Sequence, residues 1–136
     1  MQMLKMWLVT TIVFFMGDIF WLYAIMRKFF VPQVRHLMNV TEAGVAMNYA
    51  SALAAYLLLS TALTVFVVVP FYTQALSKVF AYGAFLGLCL YGVYEFTNHA
   101  TLYNWPLMFL IVDIAWGTTW CGAVAVVTVS IIRRLS

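Results

Sequence analysis

Residues Met3–Met26 read MLKMWLVTTIVFFMGDIFWLYAIM. Past Lys5, the one charge in this run is Asp18, and the next follows only at Arg27. The run exceeds the roughly 20 residues with which a helix crosses a bilayer core. Lipid cannot satisfy open backbone N–H and C=O groups, so such a segment is predicted to be helix, not strand. Its length and the depth of Asp18 set it apart from a cleaved signal peptide. It is read as the first span of the mature protein. Asp18 then sits where a carboxylate costs roughly 2.5 kcal/mol or more, which demands a reason.

Working outward, the pattern recurs at about Ala43 to Val69, Val79 to Thr101 and Leu107 to Ile132. The chain is 66% hydrophobic and 8% charged, with mean hydropathy +1.01, outside the range of soluble domains. The expected fold is therefore all-α: an integral-membrane four-helix bundle forming a single domain over residues 1–136. Its helices are expected at about 3–26, 43–69, 79–101 and 107–132, leaving nothing for a soluble domain. The net charge of +3 comes from helix ends and reads as topology; no nucleic-acid partner is implied. Cys89 and Cys121 fall in mid-span and read as small apolar packing residues.

The connections carry their own signals. Arg27-Lys28 and Pro32 are expected to close the first span, since proline interrupts a helix interior. Phe29 to Met38 would then lie in the interface as a short amphipathic element. Asn39 with Glu42 three residues on resembles a capping box opening the second span, and Pro70 closes that span. Gly83-Ala84-Phe85-Leu86-Gly87 has the small-xxx-small spacing that lets membrane helices approach closely. Trp105-Pro106 places proline at the first turn of the fourth span, where it is tolerated.

Four spans put both termini on one face, side A, with Lys5, Lys78, Arg133 and Arg134. The opposite face, side B, has Arg27, Lys28 and Arg35. The small excess on side A favours it as the cytoplasmic face, with both termini inside.

Three of the four acidic residues, Asp18, Glu95 and Asp113, lie within spans. Counted from the side-B ends at 1.5 Å per residue, all three sit roughly 9–12 Å below that surface, and Asn48 falls near the same level. The faces agree with the depths. Trp7, Thr11, Phe14, Asp18, Trp21 and Ile25 form one stripe at helical steps. Gly83, Gly87, Tyr91, Tyr94, Glu95 and Asn98 share a face of the third span, and Phe109, Asp113, Trp116, Gly117 and Trp120 share one of the fourth. Asp18-Ile19-Phe20-Trp21 and Asp113-Ile114-Ala115-Trp116 repeat an Asp-x-x-Trp pattern that flanks each acid with an indole. The side-A half offers only hydroxyls such as Thr61, Thr64 and Thr128, which in membrane helices bond mainly to backbone. A pocket open toward side B is expected, not a pore.

Each of these residues also has a plainer role. A protonated Asp can simply bond two helices together through Asn48 or a tyrosine. Trp7, Tyr103 and Trp105 fit an aromatic belt at the membrane interface. His99, one turn above Glu95, is a candidate proton relay or metal ligand, and fits an ordinary interfacial histidine better. Glu95 and His99 stand at i, i+4 instead of the Glu-x-x-His spacing of di-iron bundles, so no metal site is expected. No nucleophile–base pair stands out, and catalytic residues cannot be assigned.

Three segments carry a resemblance: Gly17-Asp18-Ile19-Phe20-Trp21-Leu22, Tyr94-Glu95-Phe96-Thr97-Asn98-His99-Ala100-Thr101-Leu102 with Trp105-Pro106, and Asp113-Ile114-Ala115-Trp116-Gly117. Together with Phe66 and Pro70 at the close of the second span, they resemble the bacterial membrane-protein family called domain of unknown function 2177. The likeness covers nearly the whole chain. Where relatives commonly have Asp, this chain has Glu95, one methylene longer. The resemblance implies four membrane helices and carries no assigned activity or cofactor.

On the residues alone, the first expectation is a membrane protein, placed by the resemblance in a bacterial inner membrane, that binds a small cationic or amphipathic, lipid-like ligand. Asp18, Trp21, Asn48, Tyr91, Tyr94, Glu95, Asn98, Asp113 and Trp116 would hold that ligand by ion pairing and cation–π contact. A small proton-coupled transporter, a structural or accessory subunit of a membrane complex, and an intramembrane enzyme or metal site remain alternatives. Homo-oligomerisation is compatible with all of them.

Overall fold

The computed structural model describes residues 1–42 and 44–135. Four helices among them are long and apolar enough to cross a membrane: α1 (Gln2–Leu37), α2 (Tyr49–Phe71), α3 (Leu76–Thr101) and α4 (Leu107–Leu135). The chain is a multi-pass all-α membrane protein. A minimal antiparallel hairpin, β1 (Val40–Thr41) with β2 (Gly44–Val45), pairs Val40 with Val45 between α1 and α2.

The first helix does not stop at Met26. It continues through Pro32 to Leu37, so the stretch expected to lie apart in the interface is the end of α1 itself. Proline lacks an N–H and crowds the carbonyl one turn back. The helix accommodates it by widening to π-helical hydrogen bonding over Leu22–Phe30, where the Val31 N–H reaches the Met26 carbonyl. Gln33 Nε2 donates to the Phe29 carbonyl at 2.7 Å, serving the region where the ladder is thinned. Phe30 and Val34 are buried, and the Phe30 ring lies 4.9 Å from that of Phe109, which pins the extension to the start of α4. At 36 residues α1 is about 54 Å long against a hydrocarbon core of roughly 30 Å, so it overshoots on side B.

The expected start of the second span at Ala43 lies outside the described residues. Helix α2 begins at Tyr49, and its cap is Asn48, whose Oδ1 accepts from the Ser51 N–H at 3.1 Å. Asn39 precedes the hairpin and caps no helix. Asn48 satisfies one of the open N–H groups of the first turn, the usual task of Asn at this position. A second π-helical turn, Thr64–Val68, interrupts α2 near side A.

Helices α3 and α4 form the tightest pair. A Cβ on Gly87 would stand 2.4 Å from the Gly117 carbonyl oxygen, and one on Gly83 2.9 Å from that of Cys121. The expected Gly83/Gly87 face is thus where the two backbones meet. Helix α1 packs on α4 and on α2. The Tyr49–Leu63 part of α2 leans on α1, whereas α2 meets α3 through the π turn at Thr64–Val68. Towards side A the four helices close over Leu63, Val67, Val68, Val79, Val124 and Val129, all buried. Arg133 seals that end, donating to the carbonyls of Tyr72 and Gln74. Towards side B, α2 and α3 part.

Candidate functional site

The interior of the side-B half is built from the stripes read in the sequence. Asp18, Glu95 and Asp113 are all buried, Glu95 at 0% exposure. Asp18 comes from α1, Glu95 from α3 and Asp113 from α4. Arg27 and Lys28 are exposed on the π segment and do not turn inward as counter-ions.

Each Asp faces the indole of the other's helix, and Asp18 is bonded to it. Trp116 Nε1 of α4 donates to Asp18 Oδ1 at 3.2 Å. Trp21 of α1 reaches towards the Asp113 carboxyl, although its N–H is not aligned in a hydrogen bond. The antiparallel run of α1 and α4 explains the exchange. The three-residue step from Asp to Trp climbs toward side B on α1 and descends toward side A on α4. The indoles of Trp21 and Trp116 therefore meet and stack, centroids 4.4 Å apart and planes 4° from parallel. Trp120 extends the stack below Trp116 at 5.3 Å. Its ring fills the space over Gly17, where a Cβ would stand 1.8 Å from the indole, and its N–H points to the Phe14 carbonyl at 3.4 Å.

Glu95 is held differently. Its Oε2 accepts from Trp105 Nε1 at 2.8 Å. Trp105 reads as a belt residue in the sequence, but its loop turns it inward. Asn104 takes a left-handed backbone, φ 55°, which Asn tolerates, and Pro106 restricts Trp105 in turn. The ring comes back over the top of α3, 5.2 Å from Phe109. Phenylalanine at this position would keep the ring contact but strip the donor from a buried carboxyl. Trp105→Phe should therefore cost about 1–3 kcal/mol, read as a lower melting temperature in detergent. An unchanged melt would show that the bond carries nothing.

Asp113 lies within hydrogen-bonding reach of Glu95, and Tyr56 of α2 within reach of Asp18. Asp18 and Asp113 form one end of a cavity of about 420 Å3. Its other walls are Ala52, Ala55, Tyr56, Leu58 and Leu59 of α2 and Leu90, Tyr91 and Tyr94 of α3. This is the gap left where α2 and α3 part, so it opens sideways, between helices. Tyr91 lies across Gly117, taking the place of its missing side chain, and Tyr94 is within hydrogen-bonding reach of Asn98.

The structure thus brings together Asp18, Trp21, Tyr91, Tyr94, Glu95, Asp113 and Trp116, with Asn98 beside Tyr94. It leaves out Asn48, exposed and engaged as a helix cap, and His99, exposed on the outside of α3. Sequence reading missed Tyr56 and Trp105. Tyr56 lies two turns inside α2, where one aromatic among leucines and alanines gives no polar signal. Among the described residues no group of three or more His, Cys, Asp and Glu has the arrangement to hold a metal ion.

No curated protein and no solved structure matches this sequence. A family model described as "Predicted membrane protein (DUF2177)" matches residues 3–130, almost the full length. The chain therefore belongs to the domain of unknown function 2177 family of predicted membrane proteins.

Proposed function

We propose that this protein binds an amphipathic ligand with a cationic head, which enters sideways from the bilayer between α2 and α3. One observation carries the reading: two carboxyl groups, with no basic side chain beside them among the described residues, end a cavity of about 420 Å3 whose other walls are apolar or phenolic. That size falls within the range of small-molecule sites. A protonated amine meets acceptors at Asp18 and Asp113 and the ring faces of Tyr56, Tyr91 and Tyr94, while its chain stays among leucines and lipid. The packed aliphatic side-A half favours a holder or presenter of the ligand over a transporter moving it across. The side-A charges favour cytoplasmic termini, in the inner membrane of a bacterium.

Five tryptophans, three of them stacked beside the site, supply the probe. With the protein in nanodiscs, dodecylammonium should change their fluorescence saturably, whereas dodecyl sulfate at equal membrane loading should not. Equal responses to the two would mean partition into lipid and would sink the reading.

A further inference from the structure

Glu95 is fully buried yet does not line the cavity. Its Oε2 is satisfied by Trp105, but its Oε1 is buried and receives no N–H or O–H from the described residues. The group within hydrogen-bonding reach is the carboxyl of Asp113, itself an acceptor when ionised. Two carboxyl groups that close in a low dielectric bond only if at least one of them is protonated, since both cannot ionise there. Asp113 belongs both to this pair and to the cavity wall.

We infer that Glu95 and Asp113 hold one proton between them in the empty protein, and that a cationic head arriving at Asp113 expels it, so that binding exchanges one cation for one proton. The inference rests on the cation-binding reading and adds Glu95 as the residue that holds the proton in reserve.

The exchange balances. The empty pair carries one proton and one negative charge. After an ammonium enters, the pair carries two negative charges beside one positive, and the proton has left for water. The net charge of the buried pair and its occupant stays at minus one, so no extra charge is moved into the hydrocarbon, where each is costly. Asp18 differs from the pair in being surrounded by donors, Trp116 Nε1 and the Tyr56 hydroxyl. The other titratable groups facing the pair are Asp18 on α1, Tyr56 on α2, and Tyr91 and Tyr94 on α3. Phenols have ordinary values far above neutral and supply no proton at pH 7.

The test titrates dodecylammonium into the native protein in nanodiscs by calorimetry, in two buffers with different ionisation enthalpies at pH 7. The difference in apparent heat gives the protons released. About one proton per cation is expected, and apparent affinity should rise up to tenfold per pH unit between pH 6 and 8. Binding without proton release overturns the exchange and leaves the binding reading intact. No saturable binding overturns both.

Infrared spectroscopy of the empty protein supplies an arm independent of ligand. A protonated-carboxyl band at neutral pH should be present in the native chain and lost in Glu95→Gln, whose amide donates to an ionised Asp113 without a shared proton. Absence of the band in the native chain overturns the inference whatever the calorimetry shows.

Discussion

Asp113→Asn is expected to remove dodecylammonium binding while the bundle stays folded. Asn is nearly isosteric, and its amide can donate to Glu95, so the interior keeps a hydrogen-bonded partner at that point. The expected stability loss is about 1 kcal/mol. The charge of Asp113 at the cavity wall is gone, however, leaving Asp18 alone there, and a desolvated ion pair truncated on one side loses about 2–5 kcal/mol, roughly a 30- to 4,000-fold weaker affinity. Thermal melting and fluorescence titration are to be run on the same purified variant. A sharp drop in melting temperature, or binding that persists, would make the carboxylate a structural bond between helices and end the ligand reading.

The second large effect is structural. Gly87→Val should open the α3–α4 interface, because a Cβ at that position points at the Gly117 carbonyl oxygen 2.4 Å away and at Cys121 Cβ 2.8 Å away. One of those atoms is backbone and cannot swing aside, so the helices must separate along their closest line. The cost lies at the upper end of the roughly 1–3 kcal/mol typical of overpacking. Since Tyr91 crosses Gly117 one turn along α3, the separation also shifts one wall of the cavity. The variant should melt at a lower temperature in detergent and bind less tightly. A native melt would show that the helices do not touch there.

The spans, the inward faces and the meeting of the acids at one level were legible because each depends on one helix at a time. Hydrocarbon allows only helix, the period of 3.6 fixes the face, and counting from the ends fixes the height. Relations between helices were not legible in that way. The Asp-x-x-Trp repeat announced an indole beside each acid, but not that Trp116 would serve Asp18 across the interface. That follows only from the antiparallel run. The end of α1 was misplaced because the rule against internal proline presumes an α-helical ladder, and a π turn with Gln33 in support evades it. The start of α2 was misplaced because Asn39 and Asn48 are both good caps, and the hairpin between them leaves no periodic trace. Trp105 read as belt because a Trp beside a loop proline usually faces the interface; the left-handed Asn104 turns it the other way.

The crossed service of acids and indoles also decides which movements the bundle can make. Sliding α1 along α4 by one helical turn, about 5.4 Å, would break the Trp116–Asp18 bond, separate the Trp21–Trp116 stack and drive Trp120 off Gly17, all in one step. Axial drift of α1 therefore costs those three contacts together. Above its π turn helix α2 stands clear of α3 but is tied to α1, where Trp7 Nε1 donates to Thr61 Oγ1 at 2.9 Å, Thr11 Oγ1 donates to Ser60 Oγ at 3.0 Å and Tyr56 lies within reach of Asp18. A swing of α2 about Thr64–Val68 that widened the entrance between α2 and α3 would have to release those bonds to α1, whose own place on α4 is fixed.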